Sequence, residues 1–224
     1  VLDDLSGGDA ANLAFARGNK ALRFVQGSIL DAAKLKDAMA GCELVFHQGA
    51  IPSVPRSITE PVAFHDANVT GTLRVLEAAR SAGARRVMFA ASSSAYGDSP
   101  TLPKVETMPP RPKSPYAANK LAGEHYMRAW ANCYELDAVS LRYFNIFGPR
   151  QNASSPYSGV IALFATRMLA RQPVTVNGDG FSRDFTYVDN AVHANLLAAR
   201  HPQRLGGEVF NVACGIRVTI LELA

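Results

Sequence analysis

The stretch RVMFAASSSAYG, residues 86–97, joins a continuous apolar run to three consecutive serines. A run that is apolar at nearly every position is typical of a strand with both faces covered, as in a parallel sheet. The serine hydroxyls would follow the carboxyl end of that strand, which is the edge where α/β sheets bind ligands. The stretch therefore predicts a buried parallel strand that ends at a ligand site.

Strand-like and helix-like segments alternate on either side of this stretch. The other predicted strands are Val1–Asp3, Leu22–Gln26, Glu43–His47, Ala138–Tyr143, Val174–Val176 and Glu208–Ala213, with an extended segment at Asp184–Val188. The predicted helices are Asp9–Arg17, Leu30–Ala40, Pro61–Ala82, Pro115–Tyr134, Val160–Arg171 and Asp189–Ala199, and the predicted loops are Gly49–Glu60 and Ser99–Ser114. This alternation predicts an α/β fold with a doubly wound parallel sheet. We expect a main domain over residues 1–145 and a smaller cap over 146–224, with segments that return to the main domain.

Composition excludes several classes of protein. Of 224 residues, 48% are hydrophobic and 19% are charged, which is incompatible with a disordered chain. No apolar run approaches the roughly 18 residues of a membrane span. The net charge is +4, and the basic residues are scattered, which favours a small anionic ligand over nucleic acid.

The cysteines and the first residues indicate where in the cell the protein is expected. Cys42, Cys133 and Cys214 are odd in number, far apart and without Cys-x-x-Cys spacing, so they predict neither a disulfide framework nor a zinc site. No cluster of His, Asp and Glu suggests another metal, and His47 and His193 are interpreted as structural. The first residues lack the layout of a signal peptide. We therefore expect a cytoplasmic protein without a metal.

Tyr116 and Lys120 are four residues apart in a predicted helix, so they share one face of it. A nearby ammonium favours the phenolate form of tyrosine, which can make the phenol a base near neutral pH. Ser92 lies 24 residues before Tyr116, at the end of the apolar strand. The alternatives are an exposed helix face for the Tyr–Lys pair and a capping role for the serines.

These features, in this order, resemble the short-chain dehydrogenase/reductase family. The longer motifs resemble its extended branch, which acts on nucleotide sugars, and most of all the UDP-sugar 4-epimerases. The matching segments are Val1–Gly8, His47–Pro61, Asn68–Thr72, Ala91–Gly97, Ser114–Lys120, Leu141–Pro149 and Asn177–Asn190.

The resemblance implies a role for each matching residue. Tyr116 would take the proton of the sugar 4-hydroxyl while C4 gives a hydride to NAD⁺. Lys120 would bind the nicotinamide ribose and lower the Tyr116 pKa, and Ser92 would hydrogen-bond the sugar O4. The residues implied in NAD binding are Asp3, Ser28, Ile29, Gln48, Gly49, Ala50, Asn68, Tyr116, Lys120 and Phe144. Those implied in binding the UDP-sugar are Ser92, Ser93, Ser94, Asn145, Thr175, Val176 and Arg183.

Three of these roles have a stated chemistry. A carboxylate at Asp3 would accept both ribose hydroxyls and favour NAD over NADP. Arg183 would clamp the diphosphate with its bidentate guanidinium. Asn68 has two equal interpretations, a ligand contact and a purely structural tie.

One departure from the family pattern sets a further expectation. The glycine-rich loop between the family's first strand and first helix is absent from this sequence, although that loop normally cradles the pyrophosphate. We expect the first strand and helix to lie upstream of Val1, and a tail with the sugar-specificity residues to follow Ala224. This predicts a gap between Val1–Asp3 and Glu43–His47, and a chain that alone is poorly stable, inactive and unable to hold NAD.

Other functions remain as alternatives. A nucleotide-sugar 4,6-dehydratase of the family has Asp-Glu directly after the catalytic hydroxyl, where this chain has Ser93 and Ser94. A decarboxylase, a reductase and a non-catalytic NAD sensor are further possibilities. The resemblance also implies a homodimer with a four-helix interface formed by Pro61–Ala82 and Pro115–Tyr134.

Overall fold

The computed structural model describes residues 1–152, 159–176 and 182–224. Its central sheet has four parallel strands in the order β3 (Leu44–His47), β4 (Arg86–Ser92), β5 (Asp137–Tyr143) and β9 (Val209–Val212). All four carboxyl ends therefore lie at one edge of the sheet, as the sequence pattern predicted.

Helices cover both faces of this sheet. On one face lie α1 (Ala32–Met39), α4 (Gly71–Ser81) and α5 (Pro115–Cys133), whose buried side chains form one hydrophobic core with the sheet. On the other face α7 (Val188–Arg200) forms a second core. The predicted doubly wound α/β arrangement is confirmed.

The strand β4 shows why its sequence is apolar without alternation. Val87 and Phe89 point into the core beneath α4 and α5, while Met88 points into the core beneath α7. All three side chains are at most 1% exposed. Because both faces of the strand are covered, neither set of alternate positions can be polar.

The remaining elements are short. The other strands are β1 (Leu2–Asp3), β2 (Val25–Gln26), β6 (Asn145–Phe147), β7 (Ser182–Arg183), β8 (Phe185–Tyr187) and β10 (Val218–Thr219). The other helices are α2 (Val54–Thr59), α3 (Pro61–His65), α6 (Val160–Leu169) and α8 (Ile220–Leu223), with 3₁₀ helices at Ala10–Ala16 and Ser93–Tyr96. Strands β6 and β8 pair in parallel, and β7 pairs antiparallel with β10.

The first two strands form a ladder of their own. β1 pairs in parallel with β2, and neither is hydrogen-bonded to the central sheet, whose edge is β3. The expected gap between Val1–Asp3 and Glu43–His47 is thus present in the structure.

Four segments differ from their predictions. The predicted loop Gly49–Glu60 contains α2, because Ser53 caps that helix by accepting a hydrogen bond from Arg56 N at 3.2 Å. Pro55 lies in the first turn, where a helix tolerates the missing N–H group. The prediction of a strand at Val174–Val176 is wrong: residues 172–176 form no ladder, and Pro173 offers no backbone N–H to one.

The predicted helix Pro61–Ala82 is interrupted. A π-helical turn at Asp66–Thr70 separates α3 from α4, and the chain stays helical through it. Such a turn inserts one residue into the helical repeat, which simple 3.6-residue periodicity does not reveal. The predicted strand Leu22–Gln26 is also shorter in the structure, where only Val25–Gln26 pairs.

Candidate functional site

Ser92, Tyr116 and Lys120 come together at the carboxyl end of β4. Ser92 is the last residue of that strand. Helix α5 begins at Pro115, where the Ser114 hydroxyl accepts a hydrogen bond from Ala117 N at 3.1 Å, and this cap places Tyr116 in the first turn. The Ser92 side chain lies close enough to the Tyr116 phenol to lower its pKa.

Lys120 is a buried cation one turn further along α5. The residue is 4% exposed, and its ammonium donates to the Ala90 carbonyl of β4 at 2.8 Å and lies 5.0 Å from the centre of the Phe89 ring. Burial lowers the pKa of Lys120 to about 8, because removal from water disfavours the charged form. The side chain thus links α5 to the strand that ends at Ser92.

The Tyr116 pKa differs from the sequence expectation. Burial raises the pKa of this phenol, and the hydrogen bond with Ser92 lowers it by a smaller amount. In the structure the Tyr116 pKa is therefore raised, whereas the sequence predicted that the charge of Lys120 would lower it.

The three serines after β4 combine two roles. Ser92 Oγ caps the 3₁₀ helix Ser93–Tyr96 by accepting from Ser94 N at 3.2 Å, and Ser94 Oγ donates to it at 2.8 Å. The capping interpretation therefore holds for Ser92. It does not exclude a ligand role, since Ser92 also contacts Tyr116.

A buried ion pair fixes α5 to the sheet. Glu124, one turn after Lys120, binds Arg142 of β5 through two hydrogen bonds of 2.8 and 2.7 Å, and both side chains are 4% exposed. The Arg142 guanidinium also lies 4.6 Å from the Tyr96 ring centre, in the 3₁₀ helix that follows Ser92. The motifs did not point to this pair; the signal was a lone arginine inside an apolar strand.

The approach of α5 to β4 also depends on a glycine. A Cβ atom at Gly123 would lie 2.4 Å from Cζ of Phe89, which is far inside van der Waals contact. The glycine therefore allows the helix that carries Lys120 to lie directly on Phe89.

The predicted NAD loop follows β3. Gln48 and Gly49 are exposed there and Ala50 is half-buried. The Gln48 side chain donates to Asn195 of α7 at 3.2 Å and accepts from the Tyr143 hydroxyl at 3.2 Å, so it is engaged by the protein.

Asn68 and His47 are buried next to this loop, and both make hydrogen bonds. Asn68, in the π-helical turn, accepts from Ile51 N at 2.8 Å and donates to Ile51 O at 3.2 Å. Its structural interpretation is thereby supported, since both ends of the amide bind the loop backbone. The buried ring of His47 lies 2.9 Å from Thr72 Oγ1, which fits its predicted structural role.

The other predicted NAD residues lie at strand ends. Asp3 ends β1, and its carboxylate accepts from Leu5 N at 2.7 Å. Ser28 follows β2 and accepts from Leu30 N at 3.1 Å. Ile29 packs against the helical glycine Gly71, where a Cβ would lie 2.6 Å from Ile29 Cδ1. Phe144 follows β5, and its ring centre is 6.4 Å from that of Tyr96.

A second group of predicted residues lines a cavity of about 340 Å³. Asn145, Thr175 and Arg183, all expected to bind the UDP-sugar, lie in its wall. Of the described residues with that expectation, Ser92, Ser93, Ser94 and Val176 do not line it. Residues 177–181 of the motif Asn177–Asn190 lie outside the described residues.

The described part of the chain was also searched for metal-ligand clusters and for membrane-spanning helices. Within it, no group of three or more His, Cys, Asp or Glu side chains is arranged to hold a metal ion. None of its helices is both long and apolar enough to cross a membrane.

Comparison with known families and sequences gives consistent matches. A family model described as the NAD dependent epimerase/dehydratase family matches residues 3–213. A UDP-glucose 4-epimerase of Mycolicibacterium smegmatis is 41% identical, and the match covers 99% of this chain and 71% of that protein.

Solved structures of two related activities share the fold. The UDP-N-acetylglucosamine 4-epimerase from Methanobrevibacter ruminantium, in complex with UDP-N-acetylmuramic acid, is 37% identical with a TM-score of 0.93, over 99% of this chain and 70% of that one. The dTDP-glucose 4,6-dehydratase DesIV from Streptomyces venezuelae, with NAD bound, is 33% identical with a TM-score of 0.90, over 100% of this chain and 68% of that one.

Proposed function

The chain belongs to the NAD dependent epimerase/dehydratase family, and we propose that it epimerises C4 of a UDP-hexose. The observation that carries this proposal is the meeting of Ser92, Tyr116 and Lys120 at the carboxyl end of β4, with Ser93 and Ser94 where a dehydratase of the family has Asp-Glu. Elimination of water needs a second acid/base pair, and two hydroxyls are poor acids and bases near neutral pH.

The cofactor is NAD, in keeping with the family. The residues present fit it: Asp3 presents a carboxylate for the ribose hydroxyls, and the Lys120 ammonium has three donors, one of which is used by Ala90. Gly49, Ala50, Ser28, Ile29 and Phe144 complete the proposed NAD surface, and Asn68 holds its loop. When bound, NAD supplies the hydride acceptor and donor for the sugar carbon.

The protein's own residues would handle the proton. As a phenolate, Tyr116 would accept the proton of the 4-hydroxyl, and the Ser92 hydroxyl would orient that oxygen by a hydrogen bond. Lys120 carries positive charge below a pKa of about 8 and is the cation on the same helix face. Tyr116 returns the proton once C4 has been reduced on its opposite face, so the cycle consumes no external reductant.

The nucleotide half of the substrate fits the cavity beside β7. Arg183 supplies a guanidinium for the diphosphate, and Asn145 and Thr175 lie in the same wall. Val176 would contact the uracil from the segment next to Thr175. The same chemistry supports a UDP ligand rather than a nucleic acid.

The experiment uses the complete gene product with UDP-glucose, UDP-N-acetylglucosamine and UDP-glucuronate, each without added reductant. Appearance of a 4-epimer with any of them supports the proposal. A 4-keto-6-deoxy sugar would indicate a dehydratase, a pentose a decarboxylase, and reduction only with added cofactor a reductase. NAD binding without turnover of any of the three would favour the sensor.

A single-atom change tests the base. Tyr116→Phe removes only the phenol oxygen, so we expect turnover to fall by about 10²–10⁴-fold, the range for a positioned acid–base group. NAD affinity should stay within about twofold of the unaltered enzyme, and Tyr126→Phe, on the same helix, serves as the control. Retained turnover in Tyr116→Phe would show that another group takes the proton.

Assembly, domain division and location are also part of the proposal. We propose a homodimer through α3–α4 and α5, which is supported by Val62, 71% exposed on α3. Val62→Lys should then lower the dimer fraction in sedimentation, with Lys20→Ala as the control.

Residues 1–145 would hold NAD and 146–224 mainly the nucleotide sugar, in a cytoplasmic protein whose cysteines are free.

A further inference from the structure

The carboxylate of Asp184 binds a backbone loop instead of a cation. Its two oxygens accept hydrogen bonds from three consecutive amides: Cys214 N at 2.9 Å, Gly215 N at 2.7 Å and Ile216 N at 3.2 Å. Thr186 Oγ1 adds a contact of 3.3 Å. Successive N–H groups that converge in this way form an anion-binding nest, and Asp184 fills it.

The shape of this loop depends on one residue in particular. Gly215 has φ of +73°, a left-handed conformation that turns the neighbouring N–H groups to the same side. The loop connects β9 of the central sheet to β10. The Asp184 carboxylate therefore fixes the point at which the chain leaves the sheet for β10.

The position of β10 matters because it pairs with the strand of Arg183. Val218 lies opposite Arg183, and Thr219 opposite Ser182. Ile220, which directly follows β10, lines the same 340 Å³ cavity as Arg183. A fixed loop therefore holds Val218, the strand partner of Arg183, and Ile220, which is part of the cavity wall.

The backbone of Asp184 binds Asn145, which also lies in the wall of this cavity. Its carbonyl accepts from Asn145 N at 3.1 Å and from Asn145 Nδ2 at 3.2 Å, which orients the amide of Asn145. One residue therefore joins β6, β7 and the loop before β10, although Asp184 itself is not in the cavity wall.

We propose that Asp184 is a positioning residue for nucleotide recognition: by closing the loop 214–216 it holds Arg183 and Asn145 where they meet the diphosphate of the substrate. This inference rests on the proposed function, which makes that cavity the nucleotide site. It assigns to Asp184 an effect on binding of the nucleotide and not on the proton transfer at Tyr116.

The test compares Asp184→Asn with Asp189→Asn in the complete gene product. Asparagine keeps the shape of the side chain but replaces the charge and one acceptor by an N–H donor that faces the loop amides. Asp189 is an exposed carboxylate five residues away, in the first turn of α7, and lies outside the proposed site. The probes are UDP by calorimetry, NAD by fluorescence, and hydrogen exchange of the amides 214–216.

We expect Asp184→Asn to weaken UDP binding by about tenfold or more, as loss of charge-assisted hydrogen bonds predicts. The same variant should raise KM for the UDP-sugar while kcat and NAD affinity stay within about threefold. The amides of Cys214–Ile216 should exchange faster, and Asp189→Asn should match the unaltered enzyme in every measurement.

Other outcomes overturn the inference in distinguishable ways. Unchanged UDP affinity in Asp184→Asn, or unchanged exchange at 214–216, would show that the loop does not set the nucleotide site. Equal loss of UDP and NAD affinity would mean that Asp184 supports the whole fold. Failure of the unaltered enzyme to bind UDP would refute the proposed function, and the inference with it.

Discussion

The two halves of the candidate site are built differently. The proposed proton-transfer half lies on β4 and α5, which are 7 and 19 residues long and bury both Lys120 and Glu124. The proposed nucleotide half lies on β6, β7, β8 and β10, each of two or three residues, and Arg183 on β7 is exposed.

The difference shows two ways of holding a side chain in place. In the first half, packing and a buried ion pair fix the position, so the chemistry depends on the stability of the fold. In the second half, short ladders are joined by hydrogen bonds from one carboxylate to a loop. We expect substitutions in the first half to affect unfolding, and those in the second to affect binding.

The largest effect on stability is expected at the buried ion pair. Glu124→Ala leaves the Arg142 guanidinium buried without its carboxylate, which costs about 3–5 kcal/mol in the free energy of unfolding. Urea denaturation measures this, and Glu77→Ala, which removes an exposed partner of Arg80, should cost less than about 1 kcal/mol. Equal effects of the two substitutions would contradict the comparison.

A second outcome sharpens the same prediction. Glu124→Leu combined with Arg142→Met replaces the pair by apolar side chains, and we expect it to recover most of the lost stability because no unpaired charge remains. Turnover of this double variant should nevertheless be lower than that of the unaltered enzyme, because no guanidinium at position 142 packs on the Tyr96 ring near Ser92.

The next effect is a pH dependence due to Lys120. Its folded-state pKa is about 8, below the usual lysine value of 10.5, so between these pH values the unfolded chain binds more protons. The contribution of Lys120 to the free energy of unfolding therefore rises with pH in that window, by up to about 1.4 kcal/mol per unit. Lys120→Met should lack this rise in urea denaturation at pH 7.5–10.5. Parallel curves for the two proteins would show that Lys120 is not desolvated.

A smaller effect is expected at Gly123. Gly123→Ala pushes a methyl group into the Phe89 ring, and overpacking of this kind costs about 1–3 kcal/mol, partly offset by the better helix propensity of alanine. Gly7→Ala is the control, because a Cβ there meets nothing within 4 Å. Thermal unfolding measures both, and a more stable Gly123→Ala variant would show that α5 can move away from β4.

The smallest effect on stability is expected at Arg183. Arg183→Ala should change the free energy of unfolding by less than about 0.5 kcal/mol, because the side chain is exposed. UDP affinity should nevertheless fall by about tenfold, since a bidentate contact with the diphosphate is lost. Calorimetric titration with UDP checks this, and Arg171→Ala, on the segment after α6, is the control.

The first half was also the more predictable from sequence. The continuous apolar run of β4 and the capped start of α5 at Ser114–Pro115 are local signals, and they placed Ser92, Tyr116 and Lys120 correctly on their elements. The raised pKa of Tyr116 was not predictable, because desolvation depends on neighbours distant in the chain.

The second half carried weaker local signals. β6 and β10 are too short for a period to be visible, and each forms only because a distant partner is present, β8 and β7 respectively. The π-helical turn was missed because the chain stays helical through it and one extra residue does not stand out in the helical periodicity. The helix α2 was missed because its proline-containing first turn resembles a loop.

The His47–Thr72 contact has a consequence for the direction of a hydrogen-bond chain. Thr72 Oγ1 donates its proton to Asn68 O at 2.7 Å, so it must accept from His47, and Nε2 of the ring carries the hydrogen. Burial, assisted by the charge of Lys120, lowers the His47 pKa to about 3, so the ring is neutral near pH 7. His47 therefore has a single tautomer with a fixed dipole. Its hydrogen bond connects β3 through Thr72 to Asn68, the residue that binds the backbone of the proposed NAD loop.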